Sequence, residues 1–148
     1  MRVGFTGTRE GMTDAQLRRF RGGIANLVTA GAKSFHHGCC VGADEQAAVA
    51  VVAHHAGTLF VVGHPPENQT LLSRDAEACC CELRNPRPYM TRNQEIVEEC
   101  DVLVACPRGP EERRSGTWTT VRMARRAGRR VVVVWPDGTV TWEPQPSA

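Results

Sequence analysis

Five short apolar runs, each closed by a glycine or proline, alternate with helix-patterned segments along the chain, and this alternation limits the fold more than any other feature. The runs are Arg2–Thr6, Ser34–His37, Thr58–Val62, Asp101–Cys106 and Arg130–Trp135. Most are rich in β-branched or aromatic residues, as a pleated surface prefers. The Val131–Val134 segment has the unbroken apolarity of a strand covered on both faces. After the first run, Thr13 and Gln16 have capping-box spacing, and Leu17, Phe20, Ile24, Leu27 and Val28 recur at helical intervals up to Gly31. Further helices are predicted from about Ala43 to Ala56, Thr91 to Glu99 and Gly116 to Ala127. The proline-rich stretch Glu67–Tyr89 reads as a long loop with one short helix around Leu71–Cys81, and Pro136–Ala148 as a turn-rich peripheral tail.

Strands alternating with helices imply right-handed β-α-β units and a parallel sheet with helices on both faces. The predicted fold is therefore α/β, a doubly wound Rossmann-like sheet of five strands in the order 3-2-1-4-5. Strands one and four would then be neighbours whose following helices leave toward opposite faces. A crevice opens between their carboxyl ends, so topology alone places a ligand site there. With 148 residues the chain suits one domain, predicted over residues 1–138 with a tail at 139–148.

Charge and composition narrow the partners. The 18 basic and 16 acidic residues leave a net charge of +2, and aromatic residues are only 5% of the chain, which disfavours a nucleic-acid surface. No run of 18 apolar residues exists, and the first residues lead directly into a strand, so a cytoplasmic protein without a membrane partner is expected. The seven cysteines are bunched, at 39, 40, 79, 80, 81, 100 and 106, and read as reduced thiols rather than a disulfide framework. His36, His37, Cys39, Cys40, His54 and His55 could ligate zinc, but no CxxC pair accompanies them. No metal and no cofactor is expected.

Three strand-to-helix loops carry the candidate chemistry. Thr6, Gly7, Thr8 and Arg9 leave the first strand with hydroxyls, a cation and little side-chain bulk, which suits phosphate or ribose. Ser115, Gly116, Thr117 and Trp118 open the fourth helix. Ser115 is placed to cap it, while the amides of the first turn favour an anion and Arg113 and Arg114 stand just before. Trp118 either stacks on a base or belongs to the core, and the core is favoured. His37 and Gly38 through Gly42 and Asp44 form the third loop, where Asp44 either caps the helix or accepts hydrogen bonds from ribose. Arg92 and Asn93 begin the third helix near the same rim. A helix N-terminus also lowers thiol pKa, which makes Cys39 and Cys40 candidates for reactivity.

Taken together, Gly4-Phe5-Thr6-Gly7-Thr8-Arg9, His37-Gly38, Gly42-Ala43-Asp44, Arg92-Asn93 and Ser115-Gly116-Thr117-Trp118 resemble the SLOG superfamily over Arg2–Gly138. That superfamily includes the Lonely-Guy phosphoribohydrolases and the Rossmann domain of DNA-processing protein A. The chain looks most like its small single-domain YspA/YpsA-related branch. The resemblance implies a nucleotide-derived ligand, homodimers or higher homo-oligomers, and Arg92 as a catalytic or phosphate-binding residue. It also exposes a departure. Lonely-Guy enzymes carry a catalytic glutamate after Gly-Gly-x-Gly-Thr, whereas here Gly116-Thr117 is followed by Trp118-Thr119-Thr120. An uncharged threonine cannot stabilise an oxocarbenium-like sugar as a carboxylate does. Glu95, Asp44 and Glu10 are candidate substitutes, with Glu95 and Arg92 taken as the catalytic pair if there is turnover. The expectation is a sensor or binding protein for a nucleoside monophosphate or ADP-ribose-like ligand. An N-glycosidase acting on nucleoside 5′-monophosphates and a nucleic-acid binder remain as alternatives.

Overall fold

All five apolar runs are strands of one sheet in a computed structural model that describes residues 1–144. In chain order the elements are β1 (Arg2–Gly7), α1 (Asp14–Thr29), β2 (Ser34–His37), α2 (Ala43–His55), β3 (Phe60–Gly63), α3 (Arg74–Ala78), β4 (Glu82–Leu83), α4 (Tyr89–Glu98), β5 (Val102–Cys106), α5 (Gly116–Arg126), β6 (Arg130–Val134) and β7 (Val140–Glu143). The sheet order is β4-β3-β2-β1-β5-β6-β7. Its five central strands follow the predicted order. Two edge strands extend it: β4, a two-residue strand parallel to β3, and β7, antiparallel to β6.

Both edges lie where the sequence pattern is weakest. The Glu67–Tyr89 stretch contains a 3-10 turn at Gln69–Leu71, then α3, then β4. The tail residues Val140–Glu143 fold back from the Asp137–Gly138 turn, and Arg125 grips Glu143 through both carboxylate oxygens at 2.7 and 2.9 Å. That fork ties β7 to the last turn of α5.

The strand period of two divides the core. Val102, Val104, Cys106, Val132 and Val134 meet Phe20, Ile24, Ala47 and Val51 from α1 and α2. Leu103, Ala105, Val131 and Val133 meet Ile96, Val97, Trp118, Val121 and Ala124 from α4 and α5. Thus α1 and α5, which follow the neighbouring strands β1 and β5, cover opposite faces. Thr13 and Gln16 form the capping box, and the Gln16 amide, fully buried, also donates to the carbonyls of Pro107 at 2.9 Å and Val134 at 2.8 Å. One side chain therefore ties the start of α1 to the ends of β5 and β6.

Beside the ends of β2 and β3 a chain of polar groups runs through two buried histidines. His36 Nδ1 lies 3.0 Å from His64 Nε2, His64 Nδ1 lies 3.4 Å from Glu95 Oε2, and Ser34 Oγ lies 3.3 Å from His36 Nε2. Neutral imidazoles satisfy it in one direction: Ser34 donates to His36, His36 to His64, and His64 to Glu95. Burial pushes His36 down to about 4, helped by the Arg84 and Arg2 charges, and burial followed by His36 itself lowers His64.

A folded-state pKa below the unfolded value means the unfolded chain binds more protons between the two. The stabilisation is therefore complete above about pH 6.5 and is lost as pH falls toward 4. Urea titrations at pH 7.5 and pH 5 should show a loss on the order of 1–2 kcal/mol for each histidine, so the His64→Gln variant should keep only the share that belongs to His36. Equal losses in the two proteins would refute the assignment.

Candidate functional site

The site is assembled where β1 and β5 end side by side. Gly7 pairs with Cys106 in register, and the Thr8 N–H donates to the Cys106 carbonyl at 3.1 Å, so the two chains part only after the last ladder bond. Thr8 then shapes its own turn. Its carbonyl accepts from Gly11 and from Ala43 at the start of α2, and its hydroxyl accepts from Glu10 N–H at 3.2 Å. Gly42 has φ +90, and a Cβ there would lie 2.3 Å from the Arg9 carbonyl oxygen, so only glycine lets the α2 loop back onto the β1 turn.

Between this turn and the start of α5 lies a cleft of about 350 Å³, lined by Gly7, Thr8, Arg9, Tyr89, Arg108, Arg114 and the Ser115–Thr117 segment, among others. Ser115 is the helix cap, as predicted: its hydroxyl accepts from Trp118 N–H at 3.3 Å and its carbonyl from Thr119 N–H at 2.9 Å. The Gly116 and Thr117 amides have no protein acceptor among the described residues and face the positive end of the helix dipole. Rim charges are sorted unevenly. Arg108 pairs with Glu10 at 2.9 Å and Glu112 at 2.8 Å, and Glu111 is taken by Arg122 and Arg125. Arg9 and Arg114 make no ion pair among the described residues.

Beneath the cleft is a recess of about 30 Å³, room for about one water, bounded by Thr6, Gly7, Cys40, Asp44, Tyr89, Arg92, Asn93 and Thr117, among others. Arg92 is almost fully buried there. Its Nη1 donates to the Gly38 carbonyl at 2.9 Å and stands 3.9 Å from Asp44 Oδ2, and its Nη2 lies 3.6 Å from Cys40 Sγ. Asp44 does not cap α2, where Gly42 holds that place; it accepts the Cys40 N–H at 3.2 Å. Burial raises the Asp44 pKa, and the Arg92 charge works against that rise. Among the described residues, two buried donors lack any partner: Arg92 Nε and Asn93 Nδ2. Buried donors without acceptors are rare and costly, and here both belong to residues bounding the same recess.

Tyr89, the chain's one tyrosine, borders both spaces. Its ring takes the guanidinium of Arg92 at 5.3 Å and that of Arg9 at 6.0 Å. Its hydroxyl lies over Gly116, where an added Cβ would sit 1.6 Å from it. Sequence reading missed Tyr89 and Arg108. The signal for Tyr89 was a lone aromatic residue directly after Pro86 and Pro88, at the first position of a helix.

Of the predicted site residues, Thr6, Gly7, Thr8, Arg9, Asp44, Arg92, Asn93, Ser115, Gly116 and Thr117 line the cleft or its recess. Gly38 and Gly42 shape the walls through backbone contacts. Three residues lie elsewhere. Trp118 is core: it packs against Trp135 with ring centroids 5.7 Å apart and donates Nε1 to the Gly109 carbonyl. Glu95 turns toward β3, where His64 and Arg87 hold its two oxygens. His37 is sealed, its Nδ1 accepting the Cys39 N–H at 3.0 Å and its Nε2 facing Cys80 Sγ at 3.3 Å. The thiols also differ from expectation. A hydrogen bond to Cys80, followed by burial, raises Cys39, and burial followed by the Asp44 charge raises Cys40, whereas Cys80 is lowered.

Two triads place possible metal ligands close together, His37–Cys39–Cys80 and His36–His64–Glu99. In each, the hydrogen-bond pattern already occupies the imidazole nitrogens. His37 accepts at Nδ1, so its proton is on Nε2 and no lone pair remains there for a metal. A larger groove of about 430 Å³ between α1 and α2 is lined chiefly by apolar carbon of residues such as Phe20, Ile24 and Val51, with Arg21, His54 and His55 also on its walls.

Gly38→Ala tests the recess directly. Its Cβ would fall 1.4 Å from Arg92 Nη1 and 2.9 Å from Asp44 Oδ2, so the guanidinium must leave. Urea denaturation should show a loss of about 1–3 kcal/mol as Asp44 is left without its cation; unchanged stability would contradict this arrangement.

No family model and no curated protein matches the chain. Two solved structures are similar to it. The X-ray structure of TM1055 is 20% identical with a TM-score of 0.59, over 88% of this chain and 71% of that one. The molybdenum cofactor binding protein from the phototrophic bacterium Rippkaea orientalis is 20% identical with a TM-score of 0.68, over 90% of this chain and 76% of that one. At this identity the likeness speaks to architecture, and with the sheet order above it identifies the chain as an α/β protein of Rossmann-like fold.

Proposed function

We propose that the strand-end cleft binds a phosphorylated, nucleotide-derived small molecule, a nucleoside monophosphate or an ADP-ribose-like compound, and that the protein is a sensor or binding protein for it. The observation that carries this reading is the pair of buried, partnerless donors, Arg92 Nε and Asn93 Nδ2, below a cleft whose upper wall is a helix N-terminus. A phosphate at the Gly116 and Thr117 amides would meet the helix dipole and the uncompensated cations Arg9 and Arg114. A polar part of the ligand, or a bridging water, would then reach Arg92 and Asn93. Among the structural neighbours, one is named for binding a small-molecule cofactor, which fits a strand-end small-molecule site.

The positions of the carboxylates favour binding over turnover. Glu10 and Glu112 are held by Arg108, and Glu95 faces His64. One observation keeps an N-glycosidase in view: Asp44 bounds the recess beside Arg92, and burial raises its pKa against the Arg92 charge.

Calorimetry and thermal shift with AMP, GMP, CMP, UMP and ADP-ribose test both readings. At least one should stabilise the protein, and Arg114→Ala should weaken it about 10- to 100-fold, the cost of one charge-assisted phosphate contact. No stabilisation by any of the five would sink the binding reading. Chromatographic release of free base, abolished in Asp44→Asn, would replace it with the hydrolase.

A further inference from the structure

Behind the α2 loop, apart from the cleft, the fold brings together three residues that the strand-end site does not use. His37 ends β2, Cys39 follows it in the loop, and Cys80 comes from the turn after α3. Their ligating atoms lie within 4.8 Å of one another. Cys39 is completely buried, while Cys80 is partly exposed.

The backbone is arranged around this meeting. Cys39 has φ 58, a left-handed conformation that costs a non-glycine residue on the order of 1 kcal/mol. Two hydrogen bonds hold it there, Cys39 N–H to His37 Nδ1 at 3.0 Å and Ser73 N–H to the Cys39 carbonyl at 2.8 Å. Gly63 ends β3 directly beneath. A Cβ at Gly63 would lie 2.6 Å from Cys39 Sγ and 2.6 Å from Cys80 Sγ, so both sulfurs occupy the space that a side chain would fill.

Proton positions follow from the donors. His37 accepts at Nδ1 and therefore donates from Nε2 to Cys80 Sγ at 3.3 Å. The Cys39 sulfur lies within 4.8 Å of the same sulfur. Cys80 is lowered by its Cys39 neighbour first and by the His37 donor, against burial, and Cys39 is raised by the same pairing and by burial. As a thiol Cys80 donates to the Ala76 carbonyl at 3.3 Å, and the His37 donor beside it favours the thiolate once that proton leaves.

We propose that Cys80 and Cys39 form a redox-active dithiol, in which Cys80 is the attacking thiolate, Cys39 the resolving thiol and His37 a positioning residue, and that it closes to a disulfide on reaction with a hydroperoxide. The Cys80 thiolate attacks one peroxide oxygen and the O–O bond breaks. Cys80 becomes a sulfenic acid, and the leaving alkoxide takes a proton from solvent. Cys39 sulfur then attacks Cys80 sulfur, its proton leaves with the sulfenic hydroxyl as water, and the S–S bond forms. Peroxide is reduced by two electrons and the two thiols are oxidised by two. Excess dithiothreitol reverses the closure.

The experiment uses the whole reduced protein and one equivalent of hydrogen peroxide. Intact mass should fall by two hydrogens, and peptide mapping should place the link between Cys39 and Cys80. Iodoacetamide at pH 6 should label Cys80 at least about tenfold faster than Cys79 or Cys81, and His37→Gln should reduce that lead. Cys80→Ser should form no disulfide, and Gly63→Ala, whose Cβ would displace both sulfurs, should slow closure. A link through Cys79 or Cys81, oxidation to sulfinic acid without a disulfide, or equal labelling of the three cysteines in the unmodified protein would overturn the proposal. So would one equivalent of zinc, found by elemental analysis of the protein as purified, that shields both thiols until a chelator removes it.

Discussion

The hydrogen bond from Thr8 N–H to the Cys106 carbonyl sits at the last point where β1 and β5 run together, and the rest of the site depends on where that ladder stops. Up to that bond the two strands share register and a common core. Beyond it, the chain after β1 turns toward the α1 face and the chain after β5 toward the α5 face. The gap between them cannot be closed by side chains of the ladder, because Gly7 has none and a Cβ there would lie 2.5 Å from Ala43. A cleft at this position is thus a product of connectivity. Gln16 keeps it from drifting, since its amide fixes α1 to the loop after β5.

The polar accounting beneath the cleft is unusual for a core. Arg92 lies among Gly38, Cys40, Asp44 and Tyr89, with a carboxylate 3.9 Å away and an aromatic face at 5.3 Å. Taking such an ion pair out of water costs several kcal/mol, which this geometry only partly returns. A fold retains such an arrangement more readily when a bound group supplies the missing acceptors. Arg92 Nε and Asn93 Nδ2 are the donors such a group would satisfy.

Much of the fold was legible in the sequence because its central strands are continuous, β-branched and closed by glycine or proline, and their helices carry regular apolar spacing. The edges were not. β4 is two residues long, and β7 is a four-residue strand, half-buried and following a turn-rich stretch, so neither has a pattern of its own. Loop residues of the site could be found because backbone geometry at strand ends is local. Residues whose role depends on helix rotation were harder: Arg92 and Glu95 are one turn apart on α4, yet one enters the recess and the other meets His64. Trp118 shows the same limit at the start of α5, where one position separates a cleft residue from a core residue. The approach of Cys80 to His37 across 43 residues depends on the α3 and β4 segment, the part with least periodicity.

The two edge strands bear on how this protein meets copies of itself. An open sheet edge presents unpaired amides and carbonyls that a second chain can adopt as a template. Here one margin is only two residues long before Arg84 and Pro86 interrupt it, and the other ends at Pro144, which has no N–H to offer. Neither border gives an incoming strand a long run of backbone to follow. Growth of the sheet from molecule to molecule is therefore discouraged at both ends, and the apolar Val131–Val134 strand, the most adhesive segment of the chain, stays shielded inside.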